Sequence, residues 1–356
     1  IFLDEIQECE EAITALKFLA ADRRISVICS GSALGIKYKQ HGTSYPVGSV
    51  DYLFMNSLDF EEFLWAMNVD SDTISMLGGL FRNKKYDTRV PFAVHTRMLS
   101  LLKQYMVIGG MPEAVQKFSD TGDYHEVDII QRRLYQDYIN DIARYALPNI
   151  KIKAERCYKS IPLQLSKENH KFQYGMVEHR GTSAKFDSSI DWLTSAHMAI
   201  AVNNLSAVDY PLKSHADSSN FRIYPNDIGL LVCTYGYELK AAILQDSGIE
   251  TPSADFVLGR AKGGLYEALA AEILFKRGYE DLHFYRNKAG TVEIEFVIEG
   301  TDGIVPVEIK AGRKHSRSLS AILESENIRY GYKFSSQNIG MAGKKITMPI
   351  YMLMFM

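Results

Sequence analysis

Three apolar residues, Ile1, Phe2 and Leu3, run directly into two carboxylates, Asp4 and Glu5, and a helical stretch from Cys9 to Ala21 comes next. A short buried strand ending in adjacent acids delivers them to the carboxyl edge of a parallel sheet, where ligands sit in α/β folds. The next apolar run, from Ile25, ends in small hydroxyl residues, Ser30 and Ser32, and a third strand is expected from Asp51 to Leu58. Strands spaced by helices imply a mainly parallel sheet. At such an edge an Asp can hold Mg²⁺, directly or through water, and the Glu beside it can orient and deprotonate an attacking water. A solvated loop start has the same appearance in isolation, so the motif takes its meaning from the later segments of the chain.

A chain of 356 residues has room for two or three domains with cores of their own. Its 46% hydrophobic and 23% charged residues are those of a globular protein. A net charge of −3 argues against coating nucleic acid or membrane by bulk electrostatics, so any polyanion site must be local. Cys9, Cys29, Cys157 and Cys233 form no CxxC pair or metal-finger spacing and read as reduced thiols, and no His pair has a metal spacing. No apolar run approaches the roughly 18 residues needed to cross a bilayer, and there is no export signal. A cytoplasmic protein without membrane contact is expected. Because Ile1 falls inside a strand, the chain is also expected to begin after its natural start.

From Phe60 to Tyr145 helix signals dominate. Asp59 caps the segment FEEFLWAM, Pro112 sits at a helix start after Gly109 and Gly110, and the long helix to Tyr145 carries a buried stripe of Val127, Ile130, Leu134, Ile142 and Tyr145. The two glycines read as a tight turn or hinge, and Arg132, Arg133 and Arg144 as a solvated helix face. Residues 149–235 read as a small helix-turn-helix domain with a β wing. Between Lys151 and Asp187 there are eight Lys/Arg against four Asp/Glu, and Lys167, Lys171 and Arg180 are candidates for phosphate contacts in DNA. A solvated packing face explains them equally well.

The last region, 236–356, opens with a helix over 263–277 and continues with strands over 282–287, 291–298 and 304–310. Period two places Val292, Ile294, Phe296 and Ile298 on one face, and Val305, Val307 and Ile309 on one face of the next strand. Glu293 and Glu295 then share the other face, as do Glu308 and Lys310. Three converging carboxylates can bind Mg²⁺, and a lysine beside them can activate water and stabilise a phosphorane, the chemistry of phosphodiester hydrolysis. The same alternation is also that of an ordinary solvated hairpin.

The strand ending in Asp4-Glu5 and the strand ending in Ser30 resemble the Walker B and sensor 1 strands of AAA-type ATPases. YPVGSV, LDFEEFL, IGGMPEAV and NDIARYA then succeed one another in an order similar to a prokaryotic ATPase family of largely unknown function. That resemblance implies an ATPase core in 1–60, a helical lid in 61–148, a winged-helix-like domain in 149–235 and a restriction-endonuclease-like domain in 236–356. It implies ATP and Mg²⁺ as cofactors, with Asp4 on Mg²⁺, Glu5 on the lytic water, and Ser30 or Ser32 sensing phosphate. The C-terminal pattern resembles the PD-(D/E)xK nucleases, with Glu295 for the usual Asp, Glu308-Ile309-Lys310 as ExK and Glu267 as the helical acid. A second Mg²⁺ at Glu267, Glu295 and Glu308, with Glu308 and Lys310 catalytic, is the corresponding expectation. Two departures stand out: no GxxxxGK[ST] phosphate loop occurs, and Ser49 stands where relatives often carry Arg. The implied function is an ATPase with a nuclease-like domain that couples nucleotide state to DNA or partner binding. The alternatives are a non-catalytic nucleotide switch that binds nucleic acid, a protein or further copies of itself, and an inactive truncated remnant.

Overall fold

The computed structural model describes all residues except 23, 32–47, 247–257, 260, 301 and 312–316. Ser32 therefore lies outside the described residues. Strand β1 (Phe2–Leu3), helix α1 (Glu10–Ala21) and strand β2 (Ile28–Cys29) form the N-terminal unit. β1 and β2 pair in parallel, Phe2 against Ile28 and Leu3 against Cys29. Ile6, Ile13 and Leu16 make its small separate core, with Leu3, Val27, Cys29 and Val50 packed against it.

The expected strand over Asp51–Leu58 does not form. Its backbone has no ladder partner among the described residues, and Leu53 and Met55 are 94% and 95% exposed. An apolar, β-prone sequence becomes a strand only when a neighbouring strand supplies hydrogen bonds.

Seven helices follow: α2 (Phe60–Ala66), α3 (Ser71–Arg82), α4 (Phe92–Ile108), α5 (Pro112–Thr121), α6 (Tyr124–Tyr145), α7 (Lys151–Leu165) and the short α8 (Tyr174–Val177). The local signals act as expected. Asp59 and Glu62 form a reciprocal capping box on α2, and Pro112 occupies the first turn of α5. On α6, Val127, Ile130 and Ile142 are buried, with Leu134 and Tyr145 packed against the same core.

Next come α9 (Ser183–Ser195), β3 (Ala199–Leu205), β4 (Ala216–Pro225), α10 (Ile228–Cys233), α11 (Tyr237–Gln245) and α12 (Ala261–Lys276). The chain ends with β5 (Leu282–Arg286), β6 (Glu293–Gly300), β7 (Gly303–Ile309), α13 (Arg317–Ile322), β8 (Gly331–Ser335), β9 (Gly340–Ala342), β10 (Lys345–Pro349) and a final 3-10 turn. The fold class is mixed α/β, as expected, with the large sheet in the C-terminal half.

The partition at residue 235 needs correction. β3 and β4, read as the wing of a separate module, belong to one eight-stranded sheet of order β4-β3-β5-β6-β7-β8-β10-β9. β3 pairs in parallel with β5, Val202 against Leu282 through Leu205 against Tyr285. One continuous apolar core joins α2–α7, this sheet and α12.

The period-two reading of β6 also fails at one point. The β5–β6 ladder takes two steps on β5, from His283 to Tyr285, against three on β6, from Val297 to Ile294. This is a bulge, which changes where side chains point. Ile294 joins the cluster around Leu319 and Leu323, whereas Phe296 and Ile298 join the main core. Val305, Val307 and Ile309 share the main core as expected.

Candidate functional site

The N-terminal edge brings two of its expected residues together. Parallel pairing of β1 with β2 sets Ser30 beside the end of β1, with Ser30 N–H donating to the Leu3 carbonyl at 2.9 Å. The Ser30 hydroxyl donates to Asp4 Oδ1. The returning chain is tied by Ile6 N–H to the Ser30 carbonyl at 3.1 Å. Asp4 and Glu5 are both exposed, and Glu5 lies in the left-handed region at φ 50° and ψ 44°. A non-glycine residue there is strained, and strain of this kind concentrates at functional positions. Arg144 on α6 reaches the same turn through Glu8 at 3.3 Å. Asp141, one turn earlier, has its pKa raised by burial and by the negative charges of Asp137 and Glu5, against Arg144. An exposed oxygen-donor carboxylate oriented by a hydroxyl suits hydrated Mg²⁺.

The C-terminal carboxylates also converge, although not as a metal cage. β6–β7 pairing runs from Gly300 against Gly303 to Phe296 against Val307, placing Glu295 and Glu308 just past its end. Glu295 Oε2 accepts from the Ile309 N–H at 3.2 Å, a backbone donor that a strand would otherwise bond. Lys310 Nζ lies 2.8 Å from Glu295 Oε1 and 3.3 Å from Glu308 Oε1. Burial pushes the Glu295 pKa up to about 7; Lys310 opposes this while Glu267 and Glu308 add to it. Lys333 on β8 stands opposite Glu308, and its pKa is lowered by burial despite the pull of that carboxylate.

Glu267 has different company. Its Oε2 accepts from Arg222 Nη1 at 3.0 Å, the Tyr224 hydroxyl at 2.9 Å and His170 Nδ1 at 2.8 Å. Burial opposes its charge, yet Arg222 and His170 outweigh burial and hold its pKa down at about 2. Arg222 is 0% exposed; its other terminal nitrogen bonds Glu293, and its guanidinium lies 4.2 Å from the centre of the Phe284 ring. Arg286 approaches Glu293 at 3.4 Å.

The carboxylate oxygens suit Mg²⁺ by type, but the residues do not fit it as a set. Each is claimed by a protein donor, and among the described residues no three His, Cys, Asp or Glu groups are arranged to hold a metal ion. Glu267, Glu295 and Glu308, expected at a metal site, stand in an ion-paired cluster. Arg222, Tyr224, His170 and Lys333 belong to it without any sequence motif to mark them. The one detectable signal is a charged residue inside an apolar strand, FRIYP, which demands a buried partner.

A second buried network has no counterpart among the sequence expectations. Glu272 on α12 accepts from Lys276 Nζ at 2.6 Å, the Tyr105 hydroxyl at 2.6 Å and the Ile228 N–H at 2.6 Å. Lys276 also donates to Ser57 Oγ at 2.8 Å and the Leu58 carbonyl at 3.1 Å. Asp227 accepts from Ser57 Oγ and the Gly110 N–H, both at 2.9 Å. The Gly109-Gly110 pair permits close approach at this junction. A Cβ on Gly110 would stand 1.9 Å from the Leu58 carbonyl oxygen, and one on Gly109, at φ +76°, 2.3 Å from Asp227 Oδ1.

Of the basic residues read as a DNA-binding patch, Lys167 and Arg180 are exposed and Lys171 is half-buried. Their neighbours Arg156 and Lys185 pair with Glu178, and Lys159 pairs with Glu155. The exposed face of α9 carries Asp187 and Asp191. No described helix is long and apolar enough to cross a membrane.

Comparison of the chain with curated proteins and with solved structures gives no match. Three family models do match. Residues 1–64 match an AAA domain, residues 99–240 the Domain of unknown function (DUF8612), and residues 262–351 the Domain of unknown function (DUF4143). The chain thus pairs a segment similar to an AAA domain with two segments similar to domains of unknown function.

Proposed function

We propose that this chain belongs to an ATP-hydrolysing switch in which the Asp4 edge handles nucleotide and the C-terminal sheet engages a partner. The observation that carries the reading is the Ser30 hydroxyl on Asp4 across two parallel strands, within a segment similar to an AAA domain. Asp4, oriented by Ser30, would hold Mg²⁺ through water, and Glu5 would take the proton of the attacking water. Bound Mg²⁺ supplies charge neutralisation at the phosphates. The test is Glu5→Gln in a protein that also carries a phosphate-binding loop. Hydrolysis should fall by about 100-fold or more, with binding of a fluorescent ATP analogue unchanged. Unaltered turnover would sink the assignment.

The C-terminal reading is a nuclease-like scaffold. It is supported by the order of α12, the antiparallel β5-β6-β7, α13 and the parallel β8, and by Glu295, Glu308 and Lys310 lying together. Protein rather than duplex DNA is the partner the surface favours, because α9 presents Asp187 and Asp191 and the nearby Arg156 and Lys185 are engaged by Glu178. Fluorescence anisotropy with duplex DNA at physiological salt should register no binding. A complex weakening steeply with added salt would reverse this choice.

A further inference from the structure

Among the described residues, the C-terminal acidic cluster has four carboxylates, Glu267, Glu293, Glu295 and Glu308, and four Lys or Arg side chains meet them. Arg222 bonds Glu267 and Glu293, Arg286 approaches Glu293, Lys310 bridges Glu295 and Glu308, and Lys333 stands opposite Glu308. We infer that Arg222 is a built-in counter-ion that takes the place of a divalent metal, turning the cluster into a metal-independent ionic clamp between two parts of the chain.

The geometry carries this in three ways. Arg222 comes from β4, reaches across the ring of Phe284 on β5, and ends on Glu293 of β6 and Glu267 of α12. A guanidinium suits this span, because it is planar, carries donors in a fixed fork and stacks on an aromatic face. The same Glu267 oxygen also takes the hydroxyl of Tyr224, two residues along β4, and Nδ1 of His170. Since a carboxylate only accepts, that imidazole nitrogen carries a proton. Residues 170, 222 and 224 lie in the segment matched to one domain of unknown function, and residues 267 and 293 in the segment matched to the other. The clamp therefore fastens the two to each other.

A divalent ion would have to displace cations that are already bonded. Binding at Glu295 and Glu308 would evict Lys310, and binding at Glu267 would leave the fully buried Arg222 short of a carboxylate. An uncompensated buried charge is the costliest outcome for such a site.

The test uses Mn²⁺ as probe on the full chain, followed by water-proton relaxation, in an Asp4→Asn background that keeps the nucleotide site out of the readout. No saturable site with Kd below about 1 mM is expected, far weaker than a dedicated carboxylate site. A one-to-one site in the tens of micromolar that Glu308→Gln abolishes would overturn the inference. In the same background, Arg222→Ser should lower the melting temperature by about 5 °C. Mn²⁺ should then raise it again, because the vacated carboxylates need a cation. Equal stabilisation by Mn²⁺ with Arg222 present would also overturn the inference. Should Arg222→Ser fail to fold, the relaxation titration with Arg222 in place still decides.

Discussion

The pKa of Glu272 turns on a contest between burial and its neighbour Lys276, and its replacement by Gln tests which prevails. Burial raises the carboxyl from 4.5 to about 7; Lys276 works against that rise and Asp227 with it. A carboxyl that is harder to ionise folded than unfolded lends stability in full below 4.5 and loses it as pH climbs through 7. At about 1.4 kcal/mol per tenfold change in proton affinity, the wild type should forfeit about 3 kcal/mol through this group by pH 8. The amide of Glu272→Gln keeps the shape and one acceptor oxygen for the Tyr105 hydroxyl; it sets an NH2 against the Ile228 N–H, a cost independent of pH, and does not titrate. Urea unfolding of both proteins at pH 4.5 and pH 8 reads the group together with its immediate neighbours, since titrations uncoupled from Glu272 cancel in the difference. The variant should gain about 3 kcal/mol relative to wild type between the two pH values. A difference that stays flat would mean that Glu272 does not titrate in this window. One that moves the other way would mean that Lys276 prevails over burial.

Other expectations concern packing and charge. Gly110→Ala should cost at least about 3 kcal/mol, or prevent soluble expression, because its Cβ meets backbone that cannot yield. Gly122→Ala, at positive φ but in open space, should cost only about 1 kcal/mol; equal melting temperatures for the two variants would contradict the close-approach account. Lys240→Met breaks a buried 2.6 Å contact with Asp128, which Arg132 also holds, and should cost about 3 to 5 kcal/mol. Adding Asp128→Asn should cost much less than the sum of the two single changes, as a double-mutant cycle would measure.

Much of the fold is legible in local chemistry. Asp59 with Glu62 and Pro112 mark helix starts by signals that operate within one turn. The strands around Glu295 and Glu308 come from alternation, and their ends bring the carboxylates and Lys310 together as the spacing suggests. The illegible features depend on distant neighbours. Nothing within residues 199–225 says that β3 will pair with residues 282–285. One extra residue in β6 separates Ile294 from Phe296, and alternation has no means of announcing it. The role of Arg222 is hidden for a related reason: a charge in an apolar strand specifies that a partner exists without saying which. Asp51–Leu58 has the composition of a strand and no neighbour to pair with among the described residues. At the N-terminal edge, the strands ending in Asp4-Glu5 and Ser30 can be set side by side from sequence, whereas the Ser30–Asp4 hydrogen bond and the left-handed backbone of Glu5 are properties of the folded turn alone.

The large sheet has a consequence for how this protein can be taken apart. Family models divide the chain beyond residue 98 into two stretches, 99–240 and 262–351, yet β3 from the first lies hydrogen-bonded beside β5 from the second. Separated along that seam, each piece would bare a row of unpaired amides and carbonyls, an open invitation to aggregate. A protease nicking the chain between them should leave a particle that still migrates as one. Anyone cloning the halves by their recognised borders should expect inclusion bodies from each and recovery only on co-expression. Heredity can shuffle such stretches as words, but this structure folds them as a single sentence.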